Sequence, residues 1–313
     1  MASRGGMLGA IDFGGTKTVL ALVAPGGAVL HRDRVATPPR PSPQEVADLL
    51  ADRFQRLWTA AGRPPVRALG VAAPGPADPA AAVLHRAFDW GWQDVPLGAL
   101  LAERLGLPIR LDNDVNCCTL AEGRFGAAIG RRNFFWLQVS TGVGGGLVLG
   151  GRLHRGSGGM AGEIGHIVLE EGGPPCACGR RGCLEALVSG PAIVRRYREA
   201  GGRAARTEDV FAAAAGGEQQ AASLLAAVVR DLGRAVAIAI NLLDPELIVL
   251  GGGVITGFAP YLDATRAVAR ARVLRNADGD PATAVPLCCT TLGGDAPLLG
   301  AAALAATPRP AAK

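Results

Sequence analysis

Four residues are of the type that holds a metal ion, although not at the common two-residue finger spacing: His166, Cys176, Cys178 and Cys183. Three thiols and one imidazole make the closed tetrahedral set that structural zinc takes. In Cys176-Ala177-Cys178-Gly179-Arg180-Arg181-Gly182-Cys183, glycine on both sides of the arginines lets a short loop fold back on a metal. The plainer reading is three reduced, unliganded thiols. Three of the chain's 7 cysteines within this one short stretch argue against it. His154 is the other candidate nitrogen ligand, but it precedes a Gly-Ser-Gly-Gly stretch and ranks behind His166. Cys117, Cys118, Cys288 and Cys289 lie among apolar residues and read as small buried hydrophobes. An odd cysteine count without a visible export signal makes a disulfide framework a poor explanation.

Acidic residues flank the metal set: Glu163 in Gly162-Glu163-Ile164-Gly165-His166, and Glu185 just after Cys183. A metal loop that fixes His166 and Glu185 brings two polar groups to one place. Carboxylates accept from vicinal hydroxyls, which is a usual hold on a sugar. Ordinary surface charge is the alternative. A further constellation is Leu111-Asp112-Asn113-Asp114-Val115-Asn116, at a strand end leading into a helix. Asp114 is a candidate general base and Asn113 a two-way hydrogen-bonding group for a sugar hydroxyl. Helix capping explains one of these polar residues and not all of them.

Glycine-rich turns supply the remaining chemistry. In Asp12-Phe13-Gly14-Gly15-Thr16-Lys17-Thr18, glycines let backbone amides approach phosphate oxygens. Thr16 adds a hydroxyl, and Lys17 adds a cation in a chain whose only other lysine is Lys313. Asp12 is placed to hold a hydrated magnesium ion. The spacing is not that of a Walker loop. Ser140-Thr141-Gly142-Val143-Gly144-Gly145-Gly146 repeats the pattern. Each alone also reads as a tight turn, but two in matching places favour a phosphate clamp. Gly251-Gly252-Gly253 follows an apolar run and would let a flat nucleoside lie on bare backbone, although strand ends commonly carry glycine.

The elements that must position these groups read as follows. Residues 8–13, 18–23 and 28–34 form a β-meander around the first turn. Ser42 and Glu45 make a capping box with Pro43 in the first helical turn, and Gly62 stops that helix. A strand over 68–72, a helix over 97–105, a strand over 109–111 and a helix over 115–122 follow. Strands over 134–139 and 145–149, helices over 190–201 and 218–243, a strand over 247–250 and a small-residue helix over 296–306 complete the chain. Strand, glycine-rich turn and strand thus recur in the second half, which predicts duplicated α/β halves with a cleft between them. The 45 glycines and 22 prolines suit such a chain better than a helix bundle. A net charge of +5 comes without a Lys/Arg run interleaved with aromatics, so no nucleic-acid partner is expected. The longest apolar stretch, 235–250, is broken by Asn241, Asp244, Pro245 and Glu246, so no membrane span is expected. The first six residues run directly into a strand without a cleavage site, and a cytoplasmic location is expected.

Together these motifs resemble the ROK family (repressors, open reading frames, kinases) of the actin-like sugar kinase fold, from Asp12 to about Ala306. The most specific piece is Gly162-Glu163-Ile164-Gly165-His166 with Cys176 through Glu185, which looks like the family's zinc signature. Gly293-Gly294-Asp295-Ala296 is similar to its C-terminal pattern. The resemblance implies two actin-like (ribonuclease H-like) α/β domains. One would be a small domain over 1–114, with the C-terminal helix 296–313 packing back on it. The other would be a large domain over 115–295 carrying the zinc loop. It implies an ATP-dependent hexokinase acting on the 6-hydroxyl of a hexose, glucose first, with N-acetylmannosamine, N-acetylglucosamine and fructose also used in the family. Asp114 would take the proton of the primary hydroxyl. Asn113, Glu163, His166 and Glu185 would hold the other hydroxyls, with His166 touching zinc and sugar through its two ring nitrogens. Asp12, Gly14, Gly15, Thr16, Lys17, Thr141, Gly142, Gly144 and Gly145 would surround the phosphates of magnesium-ATP, and Gly251 to Gly253 would face the adenosine. Relatives are usually dimers or tetramers, so a homodimer or homotetramer is expected. One departure stands out: the segment Arg86-Ala87-Phe88-Asp89-Trp90-Gly91-Trp92 lacks the asparagine that many glucose-using members carry there. Repressor members carry a helix-turn-helix module before the first phosphate turn, and the residues ahead of Asp12 are too few for one. A non-catalytic sugar- or nucleotide-binding protein is a third reading, against which Asp114 and both turns speak.

Overall fold

The structure, a computed structural model, describes residues 6–87, 90–274 and 285–307. Phe88 and Asp89 of the tryptophan segment, and the tail from Pro308 to Lys313, lie outside the described residues. The chain divides into two compact units. The first comprises Met1–Ile129, Gly156–Met160 and Asp295–Lys313, and the second Gly130–Arg155 and Ala161–Gly294.

The first unit opens with the expected meander: β1 (Met7–Phe13), β2 (Lys17–Val23) and β3 (Val29–Ala36). Helix α1 (Pro43–Ala60) starts at Ser42, whose side chain accepts from the Glu45 amide while Glu45 accepts from the Ser42 amide. The helix buries Val46, Leu50 and Phe54 against the sheet. Strand β4 (Val66–Ala73) follows, and then a small antiparallel sheet of β5 (Ala77–Asp78), β6 (Val83–Ala87) and β7 (Trp92–Val95), which local patterning does not announce. Helix α2 (Leu97–Leu105), strand β8 (Ile109–Asn113) and helix α3 (Asp114–Phe125) complete it. The five-stranded sheet runs β3-β2-β1-β4-β8, with β4 parallel to both β1 and β8. Parallel pairing brings strand C-terminal ends to one edge, where α/β sheets bind ligands. Asp12 is in register with Ala72, and Ala72 with Asp112.

The closing helix (Ala296–Ala306) explains its own small residues. A Cβ on Gly70 would lie 1.8 Å from the Ala301 carbonyl oxygen, and one on Gly300 would lie 1.9 Å from that of Cys117. Helix backbone therefore rests directly on β4 and α3. Cys117 and Cys118 are buried there, and burial pushes both thiols well up, as inert packing residues require.

The second unit repeats the plan. Its strands are β9 (Phe134–Val139), β10 (Val143–Leu149), β11 (Arg152–His154), β12 (Leu247–Gly251) and β13 (Leu287–Cys289), in the order β11-β10-β9-β12-β13. An antiparallel meander again adjoins parallel strands, β12 lying parallel to β9 and β13. Its helices are α4 (Leu184–Val188), α5 (Gly190–Glu199), α6 (Thr207–Ala215), α7 (Gln219–Leu243), α8 (Gly253–Phe258) and α9 (Leu262–Arg270). Leu225, Val228, Leu232 and Val236 of α7 pack on Phe135, Leu137, Ile248 and Leu250. The mixed α/β architecture is the one expected. No described helix is long and apolar enough to cross a membrane.

Candidate functional site

In the first unit, the turn after β1 is closed by the Gly14 amide donating to the Lys17 carbonyl at 3.1 Å. Thr37, at the end of β3, ties the turn from behind. Its amide donates to the Thr16 carbonyl at 3.0 Å and its hydroxyl to the Gly14 carbonyl at 2.7 Å, with the buried Thr18 hydroxyl 3.0 Å away. Asp12 precedes this turn. Burial, and next the charge of Asp114, push its carboxyl up from 3.8 to about 6; Lys17 opposes the shift and Asp295 adds to it. Two further carboxylates within electrostatic reach of Asp12, beside a lysine and a glycine turn, suit a divalent cation carrying phosphate.

The neighbouring strand end is ordered by Asp112. Its Oδ1 accepts from the Asn113 amide at 2.8 Å and from Asn116 Nδ2 at 2.9 Å. Asn113 caps α3, its Oδ1 accepting from the Asn116 amide at 2.7 Å, so its carbonyl oxygen is spent on the helix and its amide group is the part suited to a ligand. Asp114 Oδ1 accepts from the Val115 amide at 3.0 Å. Asp112 and Thr37 are positioning residues that motif reading passed over; the buried polar side chain of each is the signal.

In the second unit, the 141–146 turn and the metal loop are built as one piece. Glu185 Oε2 accepts from the Val143 amide at 3.1 Å, and a Cβ on Gly142 would lie 3.0 Å from that oxygen. The Gly145 amide donates to the Gly162 carbonyl at 2.8 Å. A Cβ on Gly145 would strike the Phe135 ring, and one on Gly165 would lie 2.0 Å from the Val143 carbonyl oxygen. These glycines seat the Glu163–His166 turn directly on β10.

His166 points Nδ1 at Cys176 Sγ, 3.7 Å away, and Nε2 at Glu163 Oε2, 3.9 Å away. Cys178 and Cys183 sulfurs are 3.6 Å apart, and all four donor atoms lie within 4.8 Å of one another. Zinc–sulfur bonds of about 2.3 Å in a tetrahedron require sulfurs roughly 3.8 Å apart, so the donor set fits the ion. Gly179 and Gly182 take positive φ, and a Cβ on Gly182 would lie 1.6 Å from the Glu170 carbonyl oxygen, so the fold-back needs its glycines. Hydrogen bonds from Arg180 bring the Cys178 thiol down to about 6, whereas burial pushes Cys176 up to about 12 and Cys183 upward. A bound dication would hold all three as thiolates. His154 stands on β11 outside this cluster.

The glycine triplet divides. A Cβ on Gly251 would lie 1.8 Å from the Trp136 ring, and Gly252, at φ +97°, approaches the Val139 backbone, so both are required by packing within the unit. Gly253 has only Ser140 Oγ near it, at 3.7 Å. It opens on a cavity of about 610 Å³ lined by Ser140, Thr141, Arg195, Arg198 and Arg206 among others. The arginines escaped motif reading because they fall on α5 and its following loop, where an arginine-rich face reads as solvated surface.

The family model of the ROK family matches residues 8–307. The glucokinase of Halalkalibacterium halodurans is 33% identical over 310 residues, covering 93% of this chain and 92% of that protein. Among solved structures, the ROK hexokinase from Thermus thermophilus superposes with a TM-score of 0.82 at 37% identity, covering 96% of this chain and 97% of that one. A ROK family glucokinase from Streptomyces griseus in complex with glucose and AMPPNP gives a TM-score of 0.80 at 31% identity, covering 96% and 99%.

Proposed function

Because the chain belongs to the ROK family, we propose that it is an ATP-dependent hexokinase that phosphorylates the 6-hydroxyl of a hexose, glucose first. The observation that carries this reading is the joint construction in the second unit. His166 faces the cysteines with one nitrogen and Glu163 with the other, while Glu185 is bonded to the backbone of the 141–146 turn. A sugar-hydroxyl cradle and a phosphate turn thus share one scaffold.

The roles are those that the family resemblance implies for these residues. Asp114 accepts the proton of the primary hydroxyl as its oxygen attacks the terminal phosphorus of ATP, and ADP leaves in line. Glu163, Glu185 and His166 Nε2, with the Asn113 amide, hold the remaining hydroxyls. Amides and hydroxyls of the two turns, with Lys17, carry the phosphates. Asp12 orients the hydrated magnesium that accompanies them. Thr141 and Gly253, both on its wall, place the nucleoside in the 610 Å³ cavity. Zinc, when bound by His166, Cys176, Cys178 and Cys183, contributes a fixed charge that locks the loop. Catalysis is then positioning and charge stabilisation. A cytoplasmic homodimer or homotetramer is part of the same proposal, on the family resemblance.

The test is coupled ADP release with magnesium-ATP against glucose, mannose, fructose, N-acetylglucosamine and N-acetylmannosamine. Strong sugar-dependent release with glucose is expected. Dominance of another hexose would reassign the substrate. A flat response from folded, zinc-containing protein would sink the kinase reading.

A further inference from the structure

The buried carboxylate of Asp231, on α7, lies outside every motif above. Its side chain is 2% exposed, and its Oδ2 has no hydrogen-bond partner. Its Oδ1 receives Arg230 Nε at 3.3 Å and faces Arg234 Nη1 at 3.6 Å. Burying a charge in this way is costly unless something is gained by it. Arg234 reaches onward: its Nη2 donates to the Leu169 carbonyl at 2.6 Å. The Leu169 and Glu170 amides both donate to the Gly182 carbonyl, at 2.9 and 3.2 Å, and Val168 bridges to Cys183. Arg234 thus grips the strand that leaves His166 at the place where it pairs with the strand carrying Cys183.

Separately, arginines of α5 hold α4, the short helix that carries Glu185. Its final carbonyls need donors, having no further helix to supply them. Arg195 Nη2 donates to the Ala186 carbonyl at 2.9 Å and Arg196 Nη1 to the Leu187 carbonyl at 2.6 Å. Burial pulls Arg196 below the ordinary arginine range, and the charge of Asp231 opposes that pull.

We propose that Asp231 is a positioning residue for the metal and sugar module: it fixes Arg234, which clamps the chain at Leu169, between His166 and the cysteines. The proposal rests on the sugar-kinase reading only for its sugar readout; loop order and metal retention test it independently. Removing a partner bonded directly to a metal ligand typically costs about 10–100-fold in affinity, and a clamp one step further out is expected at the lower end of that range.

Three variants separate the outcomes. Arg234 is 36% exposed, so Arg234→Ala removes the clamp without opening the core, Arg234→Lys restores one donor, and Asp231→Asn removes the buried charge. Zinc loss to a chromogenic chelator, amide hydrogen exchange over residues 167–188, and separate KM values for sugar and magnesium-ATP are measured on each full-length protein. Expected for Arg234→Ala and Asp231→Asn are zinc loss faster by roughly tenfold, faster exchange confined to 167–188, and a raised sugar KM with the magnesium-ATP KM unchanged. Arg234→Lys should recover part of each. Unchanged exchange over 167–188 in folded Arg234→Ala would overturn the proposal. So would a parallel rise in both KM values, which marks general damage. Wild-type protein that binds zinc but turns over no sugar would defeat the kinase reading and leave the clamp to stand or fall on zinc loss and exchange.

Discussion

Asp12→Asn should make the protein more stable and less active, in a pH-dependent way. The Asp12 carboxyl sits at about 6 instead of 3.8 because it is buried and faces Asp114. Holding it ionised in the folded protein therefore costs roughly 3 kcal/mol relative to the unfolded chain, at 1.36 kcal/mol per tenfold change in the ionisation constant. With the folded value raised, Asp12's contribution to stability is complete below the unfolded value of 3.8 and is lost as pH rises through about 6. Asparagine carries no charge and escapes this loss. In magnesium-free buffer at pH 8, the variant should melt higher by several degrees, at roughly 2–4 °C per kcal/mol. At pH 4 the difference should nearly vanish. Added magnesium-ATP should raise the wild-type melting temperature strongly and the variant's weakly, since a cation supplies the countercharge Asp12 lacks. The wild-type kcat/KM for magnesium-ATP, which reports the free enzyme, should fall as pH drops through about 6. Scanning fluorimetry from pH 4 to 8 makes the measurement. A melting difference that does not change with pH, or a variant less stable at pH 8, would refute the electrostatic account of Asp12.

Asp114→Ala should lower kcat by about 10²–10⁴-fold with little change in melting temperature, measured by coupled ADP release. Cys178→Ser should reduce zinc content below one per chain and raise the sugar KM, read by metal analysis and kinetics on protein purified without chelator. Ser42→Ala breaks the capping box of α1 and should cost about 1 kcal/mol in denaturant unfolding while leaving kcat intact. Gly300→Val drives a side chain into the Cys117 backbone, 1.9 Å from where a Cβ would stand. It should destabilise by more than about 3 kcal/mol or prevent folding, seen as lost soluble yield.

Features set by near neighbours were legible in the chain. The capping box of α1 spans four residues, the hairpin turns a few more, and the clustered cysteines lie within a loop that its own glycines fold back. Such signals survive because the interacting groups are held close by the covalent chain in any conformation. The small β5-β6-β7 sheet and helices α6, α8 and α9 were not legible, because short alanine- and glycine-rich segments take their conformation from what they pack against. Glycine meaning was legible only in part. The sequence marks Gly251, Gly252 and Gly253 alike, but the Trp136 ring and Val139 backbone reserve the first two for packing and leave Gly253 facing the cavity.

Taken by itself, then, the sequence determined the family, the main strands and helices and the His166, Cys176, Cys178 and Cys183 cluster that could hold a metal. Tertiary structure alone decided the register that aligns Asp12 with Ala72 and Asp112, the Thr37 brace behind the first turn, and the pairing of Arg234 with Asp231 and the Leu169 carbonyl. The physical reason is distance along the chain: a carboxylate's ionisation, a hydroxyl's partner and a glycine's necessity depend on atoms brought near by folding, and no local pattern records which atoms those are.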